Sequence, residues 1–145
     1  MTVRSEMKGF LSNRGGAVAI EFAAIALPLM LLLGGSIEVS RFIWTRVALQ
    51  DSASTGARCL GLRLAPCATD GKMDTGGTVH FVQQQASEWA IDISDQSVTP
   101  DATSGCENTP DFARIGIRHR LTSILIVLPD TWVEVEACFP VAPPD

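Results

Sequence analysis

The sequence predicts an α+β protein: a long N-terminal transmembrane helix, then a small domain with one further helix and an antiparallel sheet of about three strands. Three observations carry this prediction. An apolar run covers residues 17–37, helical periodicity covers residues 78–93, and two later segments alternate apolar and polar residues. Four cysteines follow the apolar run, as is typical of a small domain in an oxidising compartment.

The apolar run reads AVAIEFAAIALPLMLLLGGSI. At about 1.5 Å per residue it forms a helix of about 31 Å, which matches the hydrocarbon thickness of a bilayer. A cleaved secretory signal has a shorter apolar core, so the run is predicted to be an anchor. Neither Pro nor Gly interrupts residues 38–54, so we expect the helix to cover residues 17–57. Pro28 should kink it, a distortion that membrane helices tolerate.

Residues 1–16 form a leader with a net charge of +2, from Arg4, Glu6, Lys8 and Arg14. Positive flanks favour the cytoplasmic side of a membrane. Arg41 and Arg46 flank the other end of the run, so charge counting alone leaves the orientation open. The cysteines favour a C-terminal domain outside the cytoplasm.

The remaining chain is predicted to be one acidic domain over residues 58–140. Residues 39–145 contain 8 Lys or Arg and 13 Asp or Glu, which gives a net charge of −5. A negative surface disfavours nucleic acid, whose phosphates need basic partners. No catalytic triad order, metal-ligand spacing or phosphate-binding loop is recognisable in the sequence, so we predict neither an enzyme nor a cofactor.

The cysteines, at positions 59, 67, 106 and 138, show no CxxC spacing, which argues against a zinc ribbon or a thioredoxin-like motif. Two disulfides could form in three pairings. We favour Cys59–Cys67, which closes a short local loop, together with Cys106–Cys138. Buried free thiols are the alternative interpretation.

Within the domain, residues 58–77 and 101–110 are predicted loops, and residues 78–93 a helix. Its apolar face is Val79, Val82, Ala86, Trp89 and Ile93. A short strand is expected over residues 96–99. Residues 124–128 are an apolar run that we expect to form either a short helix or a membrane-adjacent loop. Residues 141–145 are predicted to be a disordered tail.

Two longer strands are predicted from alternation over residues 112–121 and 132–139. In the first, one face is apolar: Ala113, Ile115, Ile117, His119 and Leu121. The other face carries Arg114, Arg118 and Arg120, which we interpret as a solvated face rather than a binding site for an acidic partner.

Glu21 is the unusual residue of the apolar run. A carboxylate in hydrocarbon costs about 2.5 kcal/mol or more, so such residues are commonly paired. Glu21 lies close to the start of the run, where it could instead reach the interface.

Residues 14–22 read RGGAVAIEF: a basic leader ends in Gly16, the small Ala17 opens the apolar run, and Glu21 and Phe22 follow. This pattern resembles the processing site of type IV pilin-like proteins of the tight-adherence (Flp) branch. Residues 14–58 resemble the N-terminal region of TadE-like proteins, in which a Pro also interrupts the run and a Glu and an Arg close it, as Glu38 and Arg41 do here.

The resemblance implies cleavage by a prepilin peptidase between Gly16 and Ala17. It further implies that Glu21 pairs with the new N-terminal amine of a neighbouring subunit; cleavage after Gly15 would displace Glu21 by one position. Phe22, where major pilins often have Tyr, is more typical of a minor pseudopilin.

The implied partners are other pilins and pseudopilins, the prepilin peptidase, the inner-membrane pilus assembly platform and the lipid bilayer. The implied location is the bacterial inner membrane, with the N-terminus cytoplasmic and a pilin-like C-terminal domain periplasmic. The alternative is an uncleaved, single-pass, membrane-anchored periplasmic binding or secretion-accessory protein, in which Glu21 has no special role.

Overall fold

A computed structural model describes residues 15–102, 106, 109–124 and 129–143. The chain divides into two units, Met1–Val39 and Ser40–Asp145. A long helix, one further helix and antiparallel sheets of two and three strands make up the described residues, which confirms the predicted α+β class.

Helix α1 covers Gly15–Gly61 and includes Pro28. It is long and apolar enough to cross a membrane, and its most apolar part is not buried in the structure. The predicted end at residue 57 is wrong by about one turn. Helix-compatible residues continue after Ala57, and the chain turns only where Arg63 adopts a positive φ of 52°.

A small hairpin follows in the second unit, formed by β1 (Ala68–Thr69) and β2 (Lys72–Met73). The two residues between the strands, Asp70 and Gly71, both have positive φ, at 52° and 72°. Asp-Gly is a preferred pair for such two-residue turns. The prediction of a loop throughout residues 58–77 is therefore wrong here, although the turn signal is present in the sequence.

Helix α2 covers Thr75–Glu88, so the predicted range of 78–93 is wrong at both ends. At its start the Asp74 carboxylate accepts a hydrogen bond from the Gly77 N–H, at 3.0 Å, as an N-cap. At its end Ala90 has a φ of 59°, and the Ile91 N–H bonds back to the Ala86 carbonyl at 3.1 Å. Ile91 and Ile93 are buried beyond the helix end rather than within it.

The larger sheet has the antiparallel order β3–β4–β5, with β3 at Val98–Asp101, β4 at Phe112–Leu121 and β5 at Thr131–Pro140. A short 3₁₀ helix over Asp95–Ser97 precedes β3, so the strand predicted over 96–99 begins and ends too early. Pairing between the two long strands runs from Phe112 opposite Pro140 to Leu121 opposite Thr131.

The core of the second unit lies between the helices and one face of this sheet. The alternation predicted for the two long strands is confirmed: their buried residues are Ala113, Ile115, Ile117, Val133, Val135 and Ala137, while His119 and Leu121 are half-buried. The helices contribute mostly small or medium side chains: Ala48, Leu49, Ala53, Ala57, Leu60, Val82 and Ala86.

Two predicted features lie at the edges of the described chain. Of the apolar run 124–128, only Ile124 is among the described residues, and it is exposed. The prediction of a disordered tail is wrong at its first two residues. The Val141 N–H donates to the Asp111 carbonyl at 2.8 Å, and the Ala142 N–H donates to the Gly61 carbonyl at 2.9 Å. Residues 144–145 lie outside the described residues.

Candidate processing and assembly site

The predicted processing and assembly residues lie in the first two turns of α1, because the helix begins at Gly15. Gly16 is exposed, and a β carbon built on it would meet no atom within 4 Å. Ala17 and Glu21 are four residues apart, which is about one turn of an α-helix. Most of the predicted leader, residues 1–14, lies outside the described residues.

Glu21 is exposed, and the adjacent Phe22 has 73% of its surface exposed. The residues three and four positions away from Glu21 are uncharged: Ala17, Val18, Ala24 and Ile25. Among the residues that the structure describes, no cation forms an ion pair with Glu21. A carboxylate on such an apolar surface can accept hydrogen bonds from another molecule or form an ion pair with a cationic group of that molecule.

The cysteines form the two pairs that the sequence favours. Cys59 is bonded to Cys67, with Cα atoms 5.7 Å apart, and Cys106 to Cys138, with Cα atoms 6.3 Å apart. The first bond ties the end of α1 to the start of the small hairpin, and the second ties the segment before β4 to β5.

Glu136 lies beside the second disulfide, and the ligand atoms of Glu136, Cys106 and Cys138 are within 4.8 Å of one another. Metal binding by cysteine requires the thiolate. Both sulfurs are already bonded to each other, so this cluster does not offer a metal site.

The arginine face of β4 is exposed, as predicted, but its side chains pair across the sheet. Arg114 contacts Glu136 and Arg118 contacts Glu134, each at 2.9 Å, and Arg120 contacts Asp130 at 2.7 Å. The guanidinium of Arg118 also lies 4.4 Å from the centre of the Trp132 ring. Hydrogen bonds from the Ser123 N–H and Arg120 lower the pKa of Asp130.

Sequence reasoning missed a cavity of about 560 Å³ in the second unit. It lies between the first residues of α1 that belong to the second unit, the turn after α2 and the end of β4. The rings of Trp44 and Trp89 meet edge to face on its wall, with centres 5.4 Å apart. The two tryptophans are 45 positions apart in sequence, so no local spacing indicates that they meet.

His119 and Asp92 also line this cavity. Burial lowers the pKa of His119, and the nearby negative charge of Asp92 partly opposes that shift. The imidazole of His119 is therefore neutral at pH 7. The charged group near it in the cavity is the Asp92 carboxylate.

Comparison with known proteins gives one result. Residues 16–58 match the family model described as TadE-like protein, which covers less than half of the chain. Curated proteins and solved structures show no match to the chain. Over residues 16–58 the chain is therefore similar to TadE-like proteins, and this similarity suggests involvement in tight-adherence pilus assembly and association with a membrane.

Proposed function

We propose that this protein is a minor pseudopilin of a tight-adherence (Flp, type IVb) pilus, processed after Gly16, that acts through contacts between subunits and has no enzymatic activity. One observation carries the proposal. The TadE-like match includes Gly16, Ala17 and Glu21, and Glu21 stands exposed on an apolar helix with no ion-pair partner among the described residues.

Cleavage after Gly16 creates an α-amino group on Ala17. In this proposal the Glu21 carboxylate of an incoming subunit pairs with that amine on a neighbour. The attraction between opposite charges is much stronger in a low-dielectric medium than in water. Pairing therefore offsets the cost of placing the carboxylate there and fixes the axial register between neighbouring helices, as a buried polar residue does in a coiled coil.

The same proposal places the N-terminus in the cytoplasm and the second unit in the periplasm of a bacterium. The paired cysteines support an oxidising compartment for that unit. The partners are other pilins and pseudopilins, the prepilin peptidase, the inner-membrane assembly platform and the bilayer. Both incorporation into the filament and a place in the membrane platform are compatible with these contacts.

The cleavage point is tested by the intact mass and N-terminal sequence of protein extracted from membranes. We expect a mature chain that begins at Ala17. Gly16→Leu should leave the full-length chain uncut, whereas the control Gly15→Leu should still yield Ala17. A wild-type chain that begins at Met1 or at Gly16 would contradict the proposed processing.

The role of Glu21 is tested with Glu21→Gln, which keeps the shape of the side chain and removes its charge. We expect normal insertion and cleavage but loss of co-purification with the other pilins and loss of pili. Glu88→Gln, a matched change at an exposed carboxylate at the end of α2, should leave both unchanged. Normal piliation with Glu21→Gln would remove the proposed role.

The cavity of the second unit favours one alternative, an uncleaved membrane-anchored binding or secretion-accessory protein. An N-terminus at Met1, together with normal behaviour of Glu21→Gln, would support that alternative over the pseudopilin.

A further inference from the structure

The two disulfides of the second unit differ in how easily an external reagent can reach them. Cys59 and Cys67 are buried, with 4% and 0% of their surfaces exposed. The loop between them is also held closed, because the Leu64 N–H donates to the Cys59 carbonyl at 3.0 Å and the Cys67 N–H donates to the Leu64 carbonyl at 2.7 Å. An external thiol reaches this disulfide only after local opening of the fold.

The Cys106–Cys138 disulfide has one exposed partner. Cys138 is exposed because it belongs to the outer face of β5, which also carries Glu134 and Glu136. Cys106 is buried, with 8% of its surface exposed. Both cysteines line a cavity of about 750 Å³, whose wall also includes Glu136 and Phe112. A second molecule therefore has space beside Cys138, whereas Cys106 is shielded.

The exposure of Cys138 determines which of the two sulfurs can react. In thiol–disulfide exchange a thiolate attacks one sulfur of the disulfide, so the reaction depends on access to that sulfur. Cys106 is buried, and two backbone hydrogen bonds with Thr109, of 3.1 Å and 2.8 Å, hold it in place. An external thiolate therefore reaches the sulfur of Cys138, and Cys106 is the leaving group.

Two charged side chains flank Cys138. Arg114 is directly opposite it in the register of β4 and β5, a position in which β carbons are about 4.5–5.5 Å apart. An oxygen of Glu136 lies 4.0 Å from the Cys138 sulfur. The guanidinium and the carboxylate pair with each other at 2.9 Å, so each offsets the charge of the other. A nearby guanidinium stabilises a thiolate, whereas an unpaired carboxylate repels it.

We propose that the Cys106–Cys138 disulfide is a thiol–disulfide exchange site, at which an external thiolate attacks Cys138. A bond forms between the external sulfur and Cys138 Sγ, and the electron pair of the broken bond leaves with Cys106 Sγ, which takes up a proton from water. A second external thiolate then attacks the first external sulfur and releases Cys138 as a thiolate. Two external thiols are thereby oxidised to a disulfide, and the protein disulfide is reduced. This inference depends neither on cleavage at Gly16 nor on pilus assembly.

The test is the reaction of the full chain, extracted in detergent, with reduced glutathione. The reaction is quenched with acid at intervals, free thiols are alkylated, and the adducts are located by peptide mass spectrometry. We expect glutathione on Cys138 and the alkyl group on Cys106, with opening at least about tenfold faster than that of the Cys59–Cys67 disulfide. Glutathione on Cys106, or equal rates for the two disulfides, would overturn the proposal.

Four single variants test the electrostatic part of the proposal. Arg114→Gln leaves the Glu136 carboxylate unpaired beside Cys138 and should slow the reaction with glutathione by about threefold. Glu136→Gln leaves the guanidinium unpaired and should accelerate the reaction by a similar factor. The matched controls are Arg118→Gln and Glu134→Gln, which make the same changes in the 2.9 Å ion pair farther along the two strands. Equal effects of the two pairs of variants would contradict attack at Cys138.

A small thiol and the exposed thiol of another protein share this chemistry, and a second reagent separates the two sources. The reagent is thioredoxin that lacks the second cysteine of its active site, so that its mixed disulfide persists. It is offered at the same thiolate concentration as glutathione. A faster adduct of thioredoxin on Cys138 would assign the site to a protein thiol, and a faster adduct of glutathione would assign it to a small thiol. Absence of both adducts would overturn the proposal.

Discussion

Gly56 of α1 and Val82 of α2 lie in such close contact that a β carbon on Gly56 would overlap the Val82 Cγ2 atom. Glycine inside a helix costs about 0.5–1 kcal/mol relative to alanine. Its presence here is explained by the approach of α2, with Ile115 of β4 also within 3.6 Å of the same point. Packing, rather than helix propensity, therefore selects the residue at position 56.

Gly56→Ala should lower the free energy of unfolding by about 1–3 kcal/mol, because the added methyl group overpacks the crossing of the two helices. The measurement is denaturant unfolding of the full chain in detergent. The control is Gly35→Ala, where a β carbon meets no atom within 4 Å and no loss is expected. Adding Val82→Ala should recover part of the stability, and equal stability of Gly56→Ala and wild type would refute this account.

The two disulfides should differ in what they contribute to stability. They join residues 8 and 32 positions apart. Constraint of the unfolded chain gives about 2.5 kcal/mol for the shorter loop and about 3.7 kcal/mol for the longer. Replacing the pair Cys106 and Cys138 by alanine should therefore cost about 1 kcal/mol more than replacing Cys59 and Cys67, measured by denaturant unfolding. The opposite order would show that packing around the buried Cys59 and Cys67 outweighs chain entropy.

Arg118 should contribute more to stability than Arg114, although both form ion pairs of 2.9 Å across β4 and β5. Exposed ion pairs contribute about 0.2–1 kcal/mol. Stacking on Trp132 should add about 0.5–1 kcal/mol at this exposed site. Arg118→Gln is therefore expected to cost more than Arg114→Gln in thermal unfolding, and the excess should disappear in a Trp132→Leu background. If the excess cost persists in the Trp132→Leu background, it comes from a contact other than Trp132.

His119 should make the second unit less stable as the pH falls. Burial lowers its pKa in the folded protein below the ordinary value of 6.5, so the unfolded chain takes up the proton first. The contribution of neutral His119 to the free energy of unfolding is complete above pH 6.5 and declines below it. It is lost once the pH has fallen through the pKa that His119 has in the folded protein. The free energy of unfolding of the wild type should thus fall between pH 7.5 and 5, and His119→Gln should show a smaller fall.

Two controls bear on this pH dependence. His80→Gln changes an exposed histidine and should leave the decline unchanged. Asp92→Asn removes the charge that opposes the shift, so it should lower the pKa of His119 further and steepen the decline. The lowered pKa values of Asp74 and Asp130 affect stability only at more acidic pH, because their ordinary value is 3.8. Parallel curves for wild type and His119→Gln would exclude the histidine as the cause.

The parts of the structure that the sequence predicts are those encoded by local patterns. Alternation identifies the buried faces of β4 and β5, because one side of each strand packs on the core. The Gly16, Ala17 and Glu21 pattern is likewise local. The end of α2 is not, because Ala90 takes the left-handed conformation without the Gly or Asn that commonly signals it.

Contacts between distant segments account for the rest. The meeting of Trp44 with Trp89 and of Gly56 with Val82 depends on how the helices pack, and no spacing in the sequence encodes it. The start of α2 shows the same difficulty. Two glycines suggest a loop there, yet Gly77 lies in the first turn of the helix, where a β carbon would overlap the Pro66 carbonyl oxygen.

The hydrogen bond from the Ala142 N–H to the Gly61 carbonyl ties the segment after β5 to the C-terminal end of α1. That segment is therefore held by the helix as well as by the sheet. A fluorophore attached at position 142 would consequently lie beside that helix end. Its signal in labelled cells would follow the position of the helix end, which makes the segment after β5 a suitable place for such a label.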